Sequence, residues 1–362
     1  MQNVFMIINK NCFFFAADSG LICWDFKRHK QFEMSPEHAA RLVSLIYASE
    51  KEQNHALDQD LIDCNILVPE PQGEVDWGWD ILSKIFHFGT RSVPIAGLPE
   101  NEQAWAERYL AHCHHVLDST PPSTRYRRGE RSRIKLPELN ERTPFERVMA
   151  SRHTVRSFLN KPVTLEAVSH LLEFTLGFMP SRELKVNCRV PTEFNRRRCS
   201  PSGGGLNATE GYLYAKHVEG IEPGIYYYDP ACHELYLCAD KLPLLGSVLA
   251  GQHFVNDLPV GLFLTSRFDK YWWKYPHSRA YRMALIEVGH VAQTFQLVAT
   301  DQGLSTWLTG AMDEDSLDSI LKIENPAEQV LFFVGAGFSD GSPIPKTLAQ
   351  LMDGRTGRGA IF

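Results

Sequence analysis

The chain has 362 residues, of which 44% are hydrophobic and 22% charged, and its formal net charge is -6. That is the composition of a globular chain long enough for two domains, each with its own core. The acidic balance is not that of a general nucleic-acid binder, and no apolar run reaches the length of a membrane span.

The first residues, MQNVFMIINKNCFFF, lack a basic n-region and a small-residue cleavage site, so no signal peptide is expected. The eight cysteines are scattered with no C-x-x-C pair, which reads as reduced thiols in a cytoplasmic protein. Cys113 sits among His112, His114 and His115. No second cluster has matching spacing, so the reading is an exposed helix end and no metal site.

Residues 1–95 read as one unit. Strand-like, aromatic-rich runs over 6–17 and 20–34 flank the turn Asp18-Ser19-Gly20. Ser35 can cap a helix that has Pro36 in its first turn and Leu42, Val43, Leu45 and Ile46 on its apolar face. A short helix over 58–63, a strand over 65–68 and a helical stripe over 77–88 follow. Hairpin, helices and strand together predict a small winged-helix-like domain, a candidate for peptide recognition at a sheet edge or a structural cap. Residues 96–144 read as a solvent-facing helix over 100–117, then a Pro- and Arg-rich linker. Its basic cluster (Arg125, Arg127, Arg128, Arg131, Arg133, Lys135) reads as a solvated stretch.

From 145 onward, predicted helices over 164–176, 281–303 and 313–321 alternate with strands over 211–218, 224–229, 234–237, 261–266 and 328–334. That order predicts an α+β fold with helices on a mostly antiparallel sheet. The long helix places Leu285, Val288, Ala292, Phe295, Val298 and Ala299 on one stripe, among which Glu287, His290 and Gln293 stand out as polar. His290 reads as a hydrogen-bonded core histidine.

Several segments carry chemistry. In SRHTVRSF (151–158), Arg152 and Arg156 with His153 can converge on a phosphate, for which the guanidinium fork is suited; a charged helix end with surface ion pairs is the alternative. In PSGGGLN (201–207), Ser202 offers a hydroxyl, and the run Gly203, Gly204, Gly205 lets a backbone approach a flat ligand; a plain turn is the alternative. The run 303–313 reads as a strand ending in Thr309-Gly310 before an acidic helix start. Lys274-Tyr275, just ahead of the long helix, is a pair suited to proton transfer. A second pair, Lys270-Tyr271, lies four residues upstream and reads as a substrate-loop or dimer-contact pair. Trp272 and Trp273 read as packing residues. The terminal stretch containing Arg355 and Arg358 is a frayed tail or a further phosphate contact.

Taken together, SRHTVRSF, PSGGGLN, GIYYYDP (224–230), WKYPHSRAYR (273–282), EVGHVAQTFQLVATDQGL (287–304) and TGAMDED (309–315) resemble the nitroreductase-like flavoenzyme superfamily. The WKY…RAYR…GH…Q string is more closely similar to its SagB-type dehydrogenases, flavin oxidases of thiazole- and oxazole-modified peptides. The resemblance covers about 145–340, and the N-terminal segments also look like the extension of longer members. It implies a nitroreductase-like fold, FMN, a homodimer with the flavin at the subunit interface, a peptide substrate whose azoline ring is oxidised with oxygen as acceptor, and a partner cyclodehydratase. It also implies roles. Arg152, His153, Arg156 and Arg358 would hold the phosphate and ribityl side. Ser202, Gly203 and Gly204 would line the isoalloxazine, with Gln293 nearby. Thr309-Gly310 would present a backbone N–H toward the flavin, and Lys274 and Tyr275 would be the catalytic pair. Asn207 stands where many relatives have proline. A flavin-dependent dehydrogenase of a small or carrier-bound substrate, and a non-catalytic peptide-binding scaffold, are the competing readings.

Overall fold

The computed structural model describes residues 6–47, 55–70, 76–122, 134–138, 142–183, 192–325 and 327–355. The chain divides into two compact units, Met1–Pro94 with Tyr275–Ser278, and Ile95–Lys274 with Arg279–Phe362.

The first unit opens with β1 (Ile7–Ile8), β2 (Cys12–Ala17), β3 (Gly20–Asp25) and β4 (Lys30–Met34). Helices α1 (Pro36–Tyr47) and α2 (His55–Asp63), strand β5 (Leu67–Val68) and helix α3 (Ile81–Thr90) follow. Strands β2, β3 and β4 form an antiparallel meander, and β1 pairs with β5. Three helices, a meander and a short strand pair make up this unit. Cys23, Leu42, Leu45, Leu61 and Ile66 make the core. Ser35 caps α1, its Oγ accepting from the His38 N–H at 3.3 Å. The stripe predicted from Trp77 becomes helical only at Ile81, because Asp80 caps α3 by accepting from the Leu82 and Ser83 N–H groups. Trp77 and Trp79 lie ahead of the helix and meet edge to face, with ring centroids 5.8 Å apart.

The second unit contains α4 (Glu102–Leu117), α5 (Pro144–Ser151), β6 (Val163–Thr164), α6 (Leu165–Leu176), β7 (Thr209–Ala215), β8 (Val218–Glu219), β9 (Gly224–Asp229) and β10 (Glu234–Ala239). It continues through α7 (Leu245–Val248), β11 (Val260–Arg267), α8 (Phe268–Lys274), α9 (Arg279–Asp301), β12 (Ser305–Thr309), α10 (Glu314–Leu321), β13 (Glu328–Gly337) and α11 (Lys346–Arg355). Its six-stranded sheet has the order β10-β9-β7-β11-β13-β12, and every neighbouring pair is antiparallel.

Side chains on a strand alternate between faces, and β7 and β11 use both. Leu213, Leu262 and Leu264 pack with Leu171 and Leu172 of α6 and with Val288, Ala292, Phe295 and Ala299 of α9. Tyr212, Tyr214 and Phe263 belong to a second core with Phe254, Trp307, Leu317 and Phe333. Caps trim the predicted helices here as well. Asn101, Thr164 and Asp313 precede α4, α6 and α10, each accepting a backbone N–H of the first turn. Helix α5 starts on the last residue of the expected linker. Thr143 and Glu146 form a reciprocal capping box, with Pro144 in the first turn.

Two readings of the long helix are corrected. Leu285 is exposed rather than on the buried stripe, and His290 is an exposed residue rather than a core histidine. Both fall outside the arc that α9 presents to the sheet. No helix among the described residues is long and apolar enough to cross a membrane.

Candidate active site

Helix α9 is the axis of the site. Its buried polar residues are Glu287 and Gln296, and each grips a different one of the segments singled out in the sequence. Their separation of nine positions corresponds to about 14 Å along the helix at 1.5 Å per residue.

Glu287, 2% exposed, receives four hydrogen bonds. Ser202 Oγ donates to its Oε2 at 2.5 Å and Tyr271 OH to the same oxygen at 2.6 Å. The Thr209 N–H and Thr209 Oγ donate to Oε1 at 2.9 and 3.1 Å. Ser202 Oγ also accepts from the Asn207 N–H at 2.8 Å, closing the glycine loop on itself. Gly204 and Gly205 adopt φ of 65° and 69°, and Asn207 adopts 48°. Two of the glycines are closely approached by the protein's own side chains. A Cβ at Gly203 would lie 3.0 Å from the Tyr271 ring, and one at Gly205 would lie 2.8 Å from the Arg197 guanidinium. Burial, and after it the charge of Glu287, pushes the Tyr271 hydroxyl well above the ordinary tyrosine range.

Gln296 serves the arginine segment. Arg152 ends α5, and its Nη1 donates to Gln296 Oε1 at 3.5 Å. Thr306 of β12 donates to the same oxygen at 3.3 Å, and Gln296 Nε2 donates to Gln293 Oε1 at 3.3 Å. Thr154 bridges Thr306 in parallel, and the Val155 N–H donates to the Thr306 carbonyl at 3.1 Å. The arginine segment is thus stitched to the strand that ends in Thr309-Gly310. Gln252 braces that end, donating to Thr309 Oγ at 3.2 Å and the Ala311 carbonyl at 3.5 Å. Thr309 is buried, while Gly310 is exposed.

The remaining predicted residues scatter more. Arg156 sends its Nη1 to the Pro343 carbonyl at 3.0 Å, and the His153 ring pairs with the Ser151 carbonyl at 2.8 Å. Both contacts are exposed, and that of His153 is local in sequence. Arg358 lies outside the described residues, as do Arg125, Arg127, Arg128, Arg131 and Arg133 of the linker. Lys274, the last residue of α8, donates from Nζ to the Gly204 carbonyl at 2.9 Å. The Tyr275 carbonyl accepts from Trp79 Nε1 at 2.8 Å within the first unit. Trp273, expected to pack, is 60% exposed and stacks on Phe194 with ring centroids 5.0 Å apart.

The upstream pair is not a surface contact. Tyr271 is fully buried, and Lys270 donates to Glu210 Oε1 at 2.6 Å and to the Asn207 carbonyl at 3.2 Å. Among the residues the sequence did not single out, Gln296 and Gln252 brace the site, and Glu287 was noted only as polar. The signal available for Glu287 was a carboxylate in the middle of an apolar helical stripe.

The nitroreductase family model matches residues 149–338. A nitroreductase-type protein of Methanocaldococcus jannaschii is 31% identical over 198 residues, 54% of this chain and 92% of that protein. The trifolitoxin-processing protein TfxB of Rhizobium leguminosarum bv. trifolii is 24% identical over 217 residues, 58% of each chain. Among solved structures, a chain of the Escherichia coli microcin synthetase McbBCD complex with truncated pro-MccB17 shares the fold. Its TM-score is 0.52 at 22% identity, over 72% of this chain and 92% of that one. With its helix-backed antiparallel sheet and the family match over more than half its length, this chain belongs to the nitroreductase family.

Proposed function

We propose that the chain is an FMN-dependent oxidoreductase that dehydrogenates azoline rings in a ribosomal peptide, as a SagB-type enzyme, with oxygen as the final acceptor. The observation that carries the reading is the attachment of the glycine loop and the arginine segment to one face-buried helix, with Lys274 fastened to the loop. The name of TfxB, a trifolitoxin-processing protein, supports a role in processing a toxin precursor.

The residues fit a flavin mononucleotide. The half-buried Arg152 offers a guanidinium for the phosphate at one end of the α9 axis. A loop with left-handed backbone at Gly204 and Gly205 stands at the other, and Gly310 leaves an exposed backbone at the end of β12. Arg152, Arg156, His153 and Arg358 would hold the phosphate and ribityl side. Gly203, Gly204, Gln293, Thr309 and Gly310 would border the ring, and Ser202 would act by holding the loop. When bound, FMN supplies a two-electron acceptor that oxygen restores.

Turning an azoline into an azole removes a hydride from one ring carbon and a proton from its neighbour. Lys274 and Tyr275 are the pair we assign to that proton, and either must be in its basic form to take it. Exposed apolar side chains on α5 (Phe145, Met149) and α9 (Met283, Leu285, Ile286) support a homodimer that would cover them. A cyclodehydratase partner would supply the azoline, and the first unit would meet the peptide.

The test is chromophore release. Purified protein should be yellow, and heat should liberate FMN. Incubation in air with an azoline-bearing peptide should give a product lighter by a pair of hydrogens. Colourless protein that fails to take up added FMN would end the reading.

A further inference from the structure

We infer that Glu287 is a positioning residue that sets the height of Lys274 over the glycine loop by gripping α8 and the loop at once. The inference rests on the proposed function for its purpose, since Lys274 is the group to be positioned. Its geometry stands apart from that function.

The carboxylate meets the Ser202, Tyr271 and Thr209 hydroxyls and the Thr209 N–H. Two of the contacts, at 2.5 and 2.6 Å, have the length of O–H···O⁻ bonds to a charged acceptor. A buried carboxylate is tolerated when donors surround it, and four do.

The donors come from separate segments. Ser202 precedes the glycine loop, Thr209 opens β7 and Tyr271 sits in α8. Helix α8 then presents three residues to the 202–210 segment. Lys270 reaches the Asn207 carbonyl and Glu210, Tyr271 reaches Glu287 beside Ser202, and Lys274 reaches the Gly204 carbonyl. Residues 270 and 274 are one helical turn apart and share a face. The Tyr271 ring also lies against Gly203, so its hydroxyl is clamped between loop and α9. Loosening the Tyr271–Glu287–Ser202 link frees loop and helix to shift against each other, and Lys274 Nζ is what reads the shift.

The experiment uses the full chain as purified, with variants Tyr271→Phe, Ser202→Ala, Glu287→Gln and Glu287→Asp. The first readout is the acetylation rate of Lys274 by acetic anhydride, followed by mass spectrometry against Lys161 in the same sample. Losing a hydrogen bond to a charged group should raise the Lys274 rate by about tenfold in Tyr271→Phe and in Ser202→Ala, leaving Lys161 unchanged. The second readout is the visible absorption and circular dichroism of bound flavin, which should shift in Glu287→Gln and return toward wild type in Glu287→Asp. Unchanged Lys274 labelling in both single-arm variants, with those variants folded by thermal melting, overturns the inference. Equal acceleration of Lys161 and Lys274 would mean general loosening and overturns it too. Labelling needs no cofactor, so a wild type without flavin would defeat the proposed function while leaving this inference to stand or fall on Lys274.

Discussion

Lys274 donates to the carbonyl of Gly204 at 2.9 Å, which ties the last residue of α8 to a glycine in the left-handed region. A lysine held on a backbone oxygen of the glycine loop keeps its amine at a fixed place beside the backbone that would border the ring. The bond places Lys274, of the two residues of its pair, on the loop that carries the other expected contacts.

Arg152 and Arg156 should differ in effect. Arg152 is fixed toward α9 through Gln296, whereas Arg156 is occupied with the Pro343 carbonyl. Arg152→Ala should weaken flavin binding by about tenfold or more, the factor expected for one charge-assisted hydrogen bond. Arg156→Ala should cost less. Flavin content after gel filtration measures both, and equal retention in the two variants would refute the distinction.

Gly211 on β7 is a packing requirement. A Cβ there would sit 2.2 Å from Leu176 Cδ1 and 3.1 Å from Leu262 Cδ1, inside the core between sheet and helices. Gly211→Ala should cost about 1–3 kcal/mol as the neighbours are forced aside. A lower urea midpoint with an unchanged slope is the expected signature.

Glu328 gives the fold a pH dependence of definite sign. Burial, more than any other cause, raises its carboxyl above the ordinary 4.5, although Thr265 and Tyr212 donate to it. The folded state therefore holds this proton more tightly than the unfolded chain. Its contribution is fully present below 4.5 and is lost as pH climbs through the raised value. Glu328→Gln keeps an acceptor and removes the titration. Urea midpoints across mildly acidic to neutral pH should fall in the wild type relative to the variant, and parallel curves would contradict the assignment.

Much of this fold was legible because its periods are local. The 3.6-residue stripe of α9 and the apolar runs of β7, β9, β11 and β13 each lie within one run of sequence. Helix starts shifted because capping is a matter of which side chain folds back. Asp80 rather than Trp77 opens α3. Helix α8 was not predicted, since seven residues with adjacent tryptophans show no amphipathic period. Leu285 and His290 were misplaced because a helix reading cannot fix how wide the buried arc is. At the site, Arg152, the glycine loop and Lys274 could be picked out by residue type. Glu287 could not be given its role, because its partners Ser202, Thr209 and Tyr271 lie 85, 78 and 16 residues away. Gln296 and Gln252 likewise acquire meaning only once β12 lies beside the arginine segment.

Electrons should pass from a peptide azoline to a flavin held along α9, and anaerobic stopped-flow absorbance follows that passage directly. Mixing oxidised protein with an azoline-bearing peptide should bleach the flavin band, and admitting oxygen should restore it. Lys274→Ala and Tyr275→Phe should remain yellow yet bleach about 10²–10⁴-fold more slowly, the usual worth of a positioned proton acceptor. Residues acting as a unit are not additive, so the double variant should be little slower than the worse single one. A flavin band untouched by the peptide, or wild-type bleaching in both variants, would contradict the account.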